Sequence, residues 1–377
     1  MQKRKLLVAA LAALFVVPAW AETPAPAAPT LSAVLDASGI SLTGDIDVAY
    51  SHLSGTGQFV GGTNDRVFDY AHNSFTTQAV DLTVAKQPVE GAGGLVDVTM
   101  GKDASTIASF GTTTPNQTYD LTQAFVQYAT GSLTTIFGKF ITQAGQEYIK
   151  SSADTNFSRS ILFGYAIPFT HTGMRATYKI SDAVSLMGGV NNGWDEANDQ
   201  HANKNVELGV MLTPSKAFSF NVMDHYGTEE VINGVVGGAK GKRNLLDLVA
   251  TFTVSDSLNF VLNYDGGTQE NYTTLAGTLV KAKWSGVAAY ANYQINDPWR
   301  ISVRAETFND KDGYRTGFAG GQKWNEATLT VGYAPSKAME LRGEVRKDVS
   351  DKASFAYNDG IARKSQNSLG LEAIYKF

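Results

Sequence analysis

The stretch SLGLEAIYKF, residues 368 to 377, decides how the rest of the chain is read. Leu369, Leu371, Ala373, Tyr375 and Phe377 alternate with Ser368, Gly370, Glu372 and Lys376, and only Ile374 breaks the period of two. That period belongs to a β-strand with one apolar face. Chain ends are ordinarily polar and loosely held, so a strand carried to an aromatic last residue points to a sheet that needs this strand complete.

The same grammar runs upstream. Ile40, Leu42, Gly44, Ile46, Val48 and Tyr50 oppose Ser41, Thr43, Asp45, Asp47, Ala49 and Ser51, and Met174, Ala176, Tyr178 and Ile180 oppose Arg175, Thr177 and Lys179. Candidate strands centre on 40–53, 76–86, 94–103, 121–130, 132–141, 172–180, 183–192, 204–213, 217–226, 244–254, 257–265, 281–295, 299–308, 325–334, 338–347 and 367–377, about 16 in all. Their connections alternate in length. PVEGAG, GS, SDA, PSKA, SDS, NDPW and PSKA are tight turns, whereas SGTGQFVGGTNDRVFDYAHNS and GTEEVINGVVGGAKGK are long and rich in Gly and Asn. Even strand number, short turns at one end and long loops at the other predict an all-β fold. The expected form is a transmembrane antiparallel up-and-down β-barrel with short periplasmic turns and long external loops. A soluble sandwich or propeller is the rival. Tyr128, Tyr264, Tyr293 and Tyr333 at the ends of apolar faces favour the barrel, because they suit interfacial girdles. Closure leaves no sheet edge, which explains a last strand complete to Phe377 with Leu369, Leu371, Tyr375 and Phe377 toward lipid.

Lys3, Arg4 and Lys5 precede the apolar run Leu6 to Val17, which ends in Ala19-Trp20-Ala21; residues 1–21 read as a cleaved secretory signal. The run is shorter than the roughly 20 residues of a spanning helix. Residues 22–38 read as a Pro/Ala-rich linker with a short helix over LSAVLDAS, and 39–377 as the barrel. Removal of the signal leaves 28 Lys+Arg against 36 Asp+Glu, so nucleic acid is not an expected partner. Absence of cysteine excludes disulfides, thiolate catalysis and Cys-ligated metals.

IFGKFITQAGQEYI (136–149), NFSRSILFGYAIPFTHTGMRATY (156–178) and VSLMGGVNNGWDE (184–196) resemble blocks of the β-barrel porin-2, or OmpL-like, family of Gram-negative bacteria. The likeness runs over most of the mature chain and implies a porin-like barrel in the outer membrane, exported through the periplasm. The C-terminal aromatic with apolar residues at two-residue steps also resembles the signal read by the outer-membrane assembly machinery, with Ala373 where a larger residue is common. The resemblance supplies class and architecture but no ligand.

Enzymatic constellations are thin. His52, His72, His171, His201 and His225 show no zinc-binding spacing, no G-x-S-x-G is present, and GGAKGKR (237–243) lacks the phosphate-loop spacing and reads as a mobile loop. Neither cofactor nor metal is expected. Charge opposite the apolar stripes stands out instead, with Arg300, Arg304 and Glu306 on one strand and Glu340, Arg342, Glu344 and Arg346 on another. Lys139, Arg175, Lys179 and Asp247 lie upstream, among further acids such as Asp45, Asp81 and Glu207. Singly, each reads equally well as half of a paired wall contact; as a set they predict a wet lumen too wide for side chains to fill.

The longest connection, about Thr142 to Thr170, is too apolar at Ile161, Leu162, Phe163, Tyr165, Ile167 and Phe169 for a solvated loop. It is expected to fold into the lumen, the alternative being a longer strand pair with an ordinary loop. Its charged members Glu147, Lys150, Asp154 and Arg159 are constriction candidates, with Glu147 and Asp154 facing the wall arginines across the lumen. The expected function is a non-enzymatic outer-membrane porin passing small hydrophilic solutes or ions, monomeric or homotrimeric and of open ion preference. An outer-membrane enzyme and an adhesive or structural barrel with loop-borne binding are the alternatives.

Overall fold

A computed structural model describes residues 29–111, 117–199, 202–231, 238–274 and 276–377. Sixteen antiparallel strands follow one another among these residues. They are β1 (Ser41–Leu53), β2 (Ser74–Lys86), β3 (Gly91–Met100), β4 (Tyr119–Thr130), β5 (Leu133–Ile141), β6 (Thr170–Ser181), β7 (Val184–Asn191) and β8 (Asn205–Ser215), then β9 (Phe218–Glu230), β10 (Lys240–Ser255), β11 (Leu258–Thr273), β12 (Leu279–Gln294), β13 (Trp299–Asp310), β14 (Gln322–Ser336), β15 (Met339–Ser350) and β16 (Ser365–Lys376). Each pairs with its chain neighbours, and β1 pairs with β16 to close the ring. Connections at one end, such as 131–132 and 337–338, have two to four residues, while those at the other reach 28 residues at 142–169.

The closing seam explains the terminal alternation. Phe377 donates its N–H to the Gly44 carbonyl at 2.9 Å and accepts from the Gly44 N–H at 3.0 Å, so the last residue completes the ladder of β1. Gly44 is required there, because an added Cβ would stand 2.5 Å from both the Phe377 ring and the Asp81 carbonyl oxygen. Leu369, Leu371, Tyr375 and Phe377 are exposed on the outer face. Ile374, which broke the pattern, is buried on the inner face beside Glu372.

Outer-face aromatics cluster near the turns, where Trp299 and Tyr333 lie 4.5 Å apart and Tyr128, Tyr293 and Tyr375 are exposed. Tyr264 departs from the expectation: it pairs with Leu248 and Val287 in the body of the sheet, because β11 runs on to Thr273. Ladder hydrogen bonds from both neighbours carry β11 through Gly266-Gly267 and a polar stretch that shows no alternation. In the same way Lys240–Arg243, read as loop, form the start of β10 opposite Gly227–Glu230, and Gly237 lies outside the described residues. The helix α2 (Lys102–Ile107) replaces the expected end of β3.

The helix α1 (Leu31–Ser38) has the expected bounds, carries no buried residue and belongs to a unit separate from the barrel. The expected signal, 1–21, lies outside the described residues. No described helix is long and apolar enough to cross a membrane, which says nothing of strands. The buried apolar cluster lies inside the ring: Trp284, Phe308 and Trp324 of β12, β13 and β14 pack with Phe59 and Phe68 of the first loop and Ile161, Leu162, Phe163 and Ile167 of the third.

Candidate functional site

The third long connection, 142–169, lies inside the barrel against inner-face residues of the wall. A 3₁₀ turn at Ser151–Ala153 and a π turn at Leu162–Ala166 punctuate it. Its apolar half joins the internal cluster, which is why the sequence tolerates so many large apolar residues there. The indole N–H of Trp284 donates to the Ala166 carbonyl at 3.0 Å and fixes the π turn.

The polar half has no strand partner, and buried backbone groups need partners. Wall side chains supply them in two complementary sets. Arginines serve the carbonyls: Arg304 donates to Ser158 at 2.6 Å, Arg342 to Asp154 at 2.8 Å and Ser151 at 3.1 Å, Arg346 to Arg159 at 2.7 Å, and Arg300 to Thr155. Glutamates serve the N–H groups: Glu344 accepts from Phe157 at 2.8 Å and Ser158 at 3.0 Å, and Glu306 from Ile161 at 2.7 Å and Leu162 at 3.2 Å. The alternating Glu/Arg pattern of β13 and β15 thus stands in for a missing strand.

These wall charges are also paired with one another. Arg304 meets Glu326 at 3.0 Å and Arg342 meets Glu372 at 3.0 Å; Glu340 accepts from Arg342 at 3.1 Å and from Arg300, and Arg346 bonds Asp348 at 2.8 Å. The expectation of a wet face fails on this side, where Arg304, Arg342, Glu344 and Arg346 are all buried. Charge survives because every group is hydrogen-bonded, which low-dielectric burial demands.

Nor do the acids of the segment face the arginines across an open lumen. Glu147 touches Arg304 directly at 2.7 Å and accepts the Ser160 N–H at 2.6 Å. Asp154 turns back on its own segment, 3.0 Å from Arg159 and accepting from the Tyr148 N–H at 3.0 Å. Arg159 is spent internally as well, on the carbonyls of Tyr148 and Ile149 at 2.9 and 2.6 Å. Lys150 reaches Asp97 of β3 at 2.8 Å and Thr83 of β2 at 2.7 Å.

The remaining candidates lie elsewhere on the inner face. Lys139 pairs with Asp120 at 3.1 Å, Arg175 grips Glu207 with bonds of 2.7 and 2.9 Å, and Asp247 accepts from Asn263 at 2.8 Å. Lys179 stands exposed near a turn, paired with Asp182 at 2.7 Å. Sequence reading missed three anchors of the segment: Ser152 donates to Asp45 at 2.9 Å, Asn156 donates to Thr330 at 2.6 Å, and Lys376 donates to the Ser152 carbonyl at 2.9 Å. Alternation already put Asp45 and Lys376 on the inner face, but nothing local singled out these or Thr330.

On the opposite side, between the segment and β9–β10, lies a cavity of about 300 Å³ lined by Gln143, Gln146, Tyr148, Asn221 and Thr251 among others. At the loop rim, Arg66 bridges Asp69 and Asp348, both at 2.6 Å. Burial pushes the neighbouring Asp65 carboxyl up to about 7, against the opposing pull of Arg66.

The fold is shared with outer-membrane proteins of known structure. The outer membrane channel DcaP of Acinetobacter baumannii superposes with a TM-score of 0.62 at 15% identity, over 90% of this chain and 97% of that one. The anion-selective porin from Comamonas acidovorans gives 0.61 at 11% identity over 90% and 99%. In-vitro folded OmpT of Vibrio cholerae gives 0.60 at 11% identity over 90% and 97%. No curated protein matches the sequence. The family model described as "Putative beta-barrel porin-2, OmpL-like" matches residues 39–377, the whole of the barrel, and the chain belongs to that family of outer-membrane porins.

Proposed function

We propose that the protein is a passive diffusion channel for small hydrophilic solutes or ions, and that segment 142–169 is its constriction. The observation that carries this is the attachment of the segment to β13 and β15 by Arg300, Arg304, Arg342 and Arg346 on its carbonyls and by Glu306 and Glu344 on its N–H groups. A segment held that firmly fills one side of the ring and leaves solutes the polar cavity on the β9–β10 side. Charges in such a throat act through a low local dielectric and bear more strongly on ions than they would in bulk water. Because the arginines and glutamates of β13–β15 neutralise one another, their role is to hold the segment, and Lys139, Arg175, Lys179 and Asp247 line the remaining wall.

Residues 1–21 act in this account as the export signal, and the strand ending at Phe377 is the part read by the assembly machinery. A homotrimer is the assembly we favour, by analogy with the trimer form of Vibrio cholerae OmpT. Discrete conductance steps in planar bilayers, with the reversal potential read in a salt gradient, test the channel. Folded protein that gave neither conductance nor solute flux in liposomes would return the enzyme and adhesin readings.

A further inference from the structure

Three inner-face side chains on β6, β8 and β9 have no part in holding the segment. His171, Glu207 and His225 are each at least 97% buried. Their nearest ligand-type atoms all lie within 4.8 Å of one another. Register places Arg175, Gly189, Glu207 and His225 in one row across β6 to β9. Gly189 contributes no side chain to that row, and an added Cβ there would fall 2.3 Å from the Glu207 carboxylate. The gap on β7 is what lets β6 reach β8 and β9.

We propose that His171, Glu207 and His225 form a binding site for a divalent transition metal ion of the zinc class. His171 Nδ1 lies 3.1 Å from the Gly193 carbonyl, which can only accept, so the proton is on Nδ1 and the Nε2 lone pair is free. That is the tautomer and the backing bond of a metal-ligating histidine. The Nε2 atoms of both His171 and His225 are buried without a hydrogen-bond partner, a costly condition for which a metal ion accounts. Glu207 is fixed by Arg175, itself stacked 4.2 Å over Phe140, and each carboxylate oxygen keeps a further lone pair.

Two imidazoles and one carboxylate suit zinc, cobalt, nickel or copper, whereas calcium and magnesium take oxygen ligands. Ligand atoms on tetrahedral zinc stand about 3.3 Å apart, given bonds of about 2.0–2.1 Å. The two rings now stack 5.0 Å apart at 14°. Stacked rings aim their lone pairs along nearly parallel lines, so binding requires one ring, that of His225, to turn about its Cβ–Cγ bond while His171 keeps its bond to Gly193. Three protein ligands leave a fourth position for a water molecule. The bound ion would brace three strands across the stave that carries only Gly188 and Gly189 at this level.

Sequence spacing gave no hint, because the ligands come from three strands and not from one helix or loop. The test is titration of folded, tag-free full-length barrel in detergent with Zn²⁺, and separately with Co²⁺ followed by its visible absorption. One equivalent of Zn²⁺ should bind and Co²⁺ should give a tetrahedral spectrum. His171→Gln, His225→Gln and Glu207→Gln should each weaken binding by at least about tenfold, with folding checked by heat-modifiable gel mobility. His52, whose ring lies 5.4 Å from His72, is the control, and His52→Gln should change nothing. Absence of binding to the wild-type barrel, which needs no variant, overturns the proposal. So does binding lost on His52→Gln and kept by the other three variants.

Discussion

Arg304 Nη1 and Glu147 Oε1 stand 2.7 Å apart, with the arginine side chain fully buried and the glutamate only 5% exposed, so a dry ion pair ties the infolded segment to β13. Arg304 also meets Glu326 and the Ser158 carbonyl, whereas Glu147, among the described residues, otherwise accepts from the Ser160 N–H.

Loss of the two partners should therefore be unequal. Arg304→Gln leaves Glu147, Glu326 and Glu306 facing one another and should destabilise the barrel by about 3–5 kcal/mol. Glu147→Gln leaves Arg304 still paired with Glu326 and should cost clearly less. Thermal midpoints by heat-modifiable gel mobility rank the two; equal losses would mean that Arg304 does not gather the acids.

Depth in the membrane gives a second prediction. Val345 pairs with Leu329 and Leu369 in the body of the sheet, while Leu341 pairs with Tyr333 and Ala373 close to the turns. Both are exposed outside, with Arg342 and Glu344 inside. Val345→Arg should cost about 2–4 kcal/mol and Leu341→Arg about 0–1 kcal/mol. Equilibrium unfolding from lipid vesicles measures both, and the reverse order would contradict this register.

Alternation, turn length and charge placement make the barrel legible in the sequence. All sixteen strands were visible because a sheet between lipid and water must alternate, and Gly370, Glu372 and Lys376 kept that rule to the end of the chain. Places where ladder bonds act without alternation were hidden, as in β11 beyond Asp265 and β10 before Asn244. In the site, the infolding of 142–169 could be read from its apolar content, but not the partners of its charges. Asp154 could as well have faced the wall as Arg159, because pairing inside a loop depends on a backbone path that no period encodes. Arg300, Arg304, Arg342 and Arg346 are recognisable as inner-face residues, yet their service to backbone carbonyls depends on the path of the infolded segment, which alternation does not encode.

The first loop should respond to pH. Asp65 is fully buried, and burial raises its carboxyl to about 7 from the ordinary value of about 3.8. Between those two values the folded chain keeps a proton that the unfolded chain has lost, so this group's contribution to stability falls as pH rises from about 4 to about 7. Asp65→Asn should flatten the dependence of the thermal midpoint in that window. A wild-type midpoint that rose with pH there, and kept rising in the variant, would remove Asp65 as its cause.

If the proposed passage runs through the cavity beside β9 and β10, added bulk there should block flow. Asn221→Trp fills the polar cavity and should lower single-channel conductance by at least half, whereas Glu340→Gln, under the far side of the segment, should leave it within a fifth of wild type. Conductance unmoved by Asn221→Trp would put the passage elsewhere.

The most direct test is the single-channel conductance of a barrel lacking residues 150–158. The Arg159 guanidinium bonds the Ile149 carbonyl at 2.6 Å, so the two ends of the excised stretch lie within one arginine side chain of each other. The excised stretch carries the carbonyls held by Arg300, Arg304 and Arg342. If the segment is the constriction, the shortened barrel, shown folded by heat-modifiable mobility, conducts in larger steps than the wild type; unchanged steps in that folded barrel contradict it.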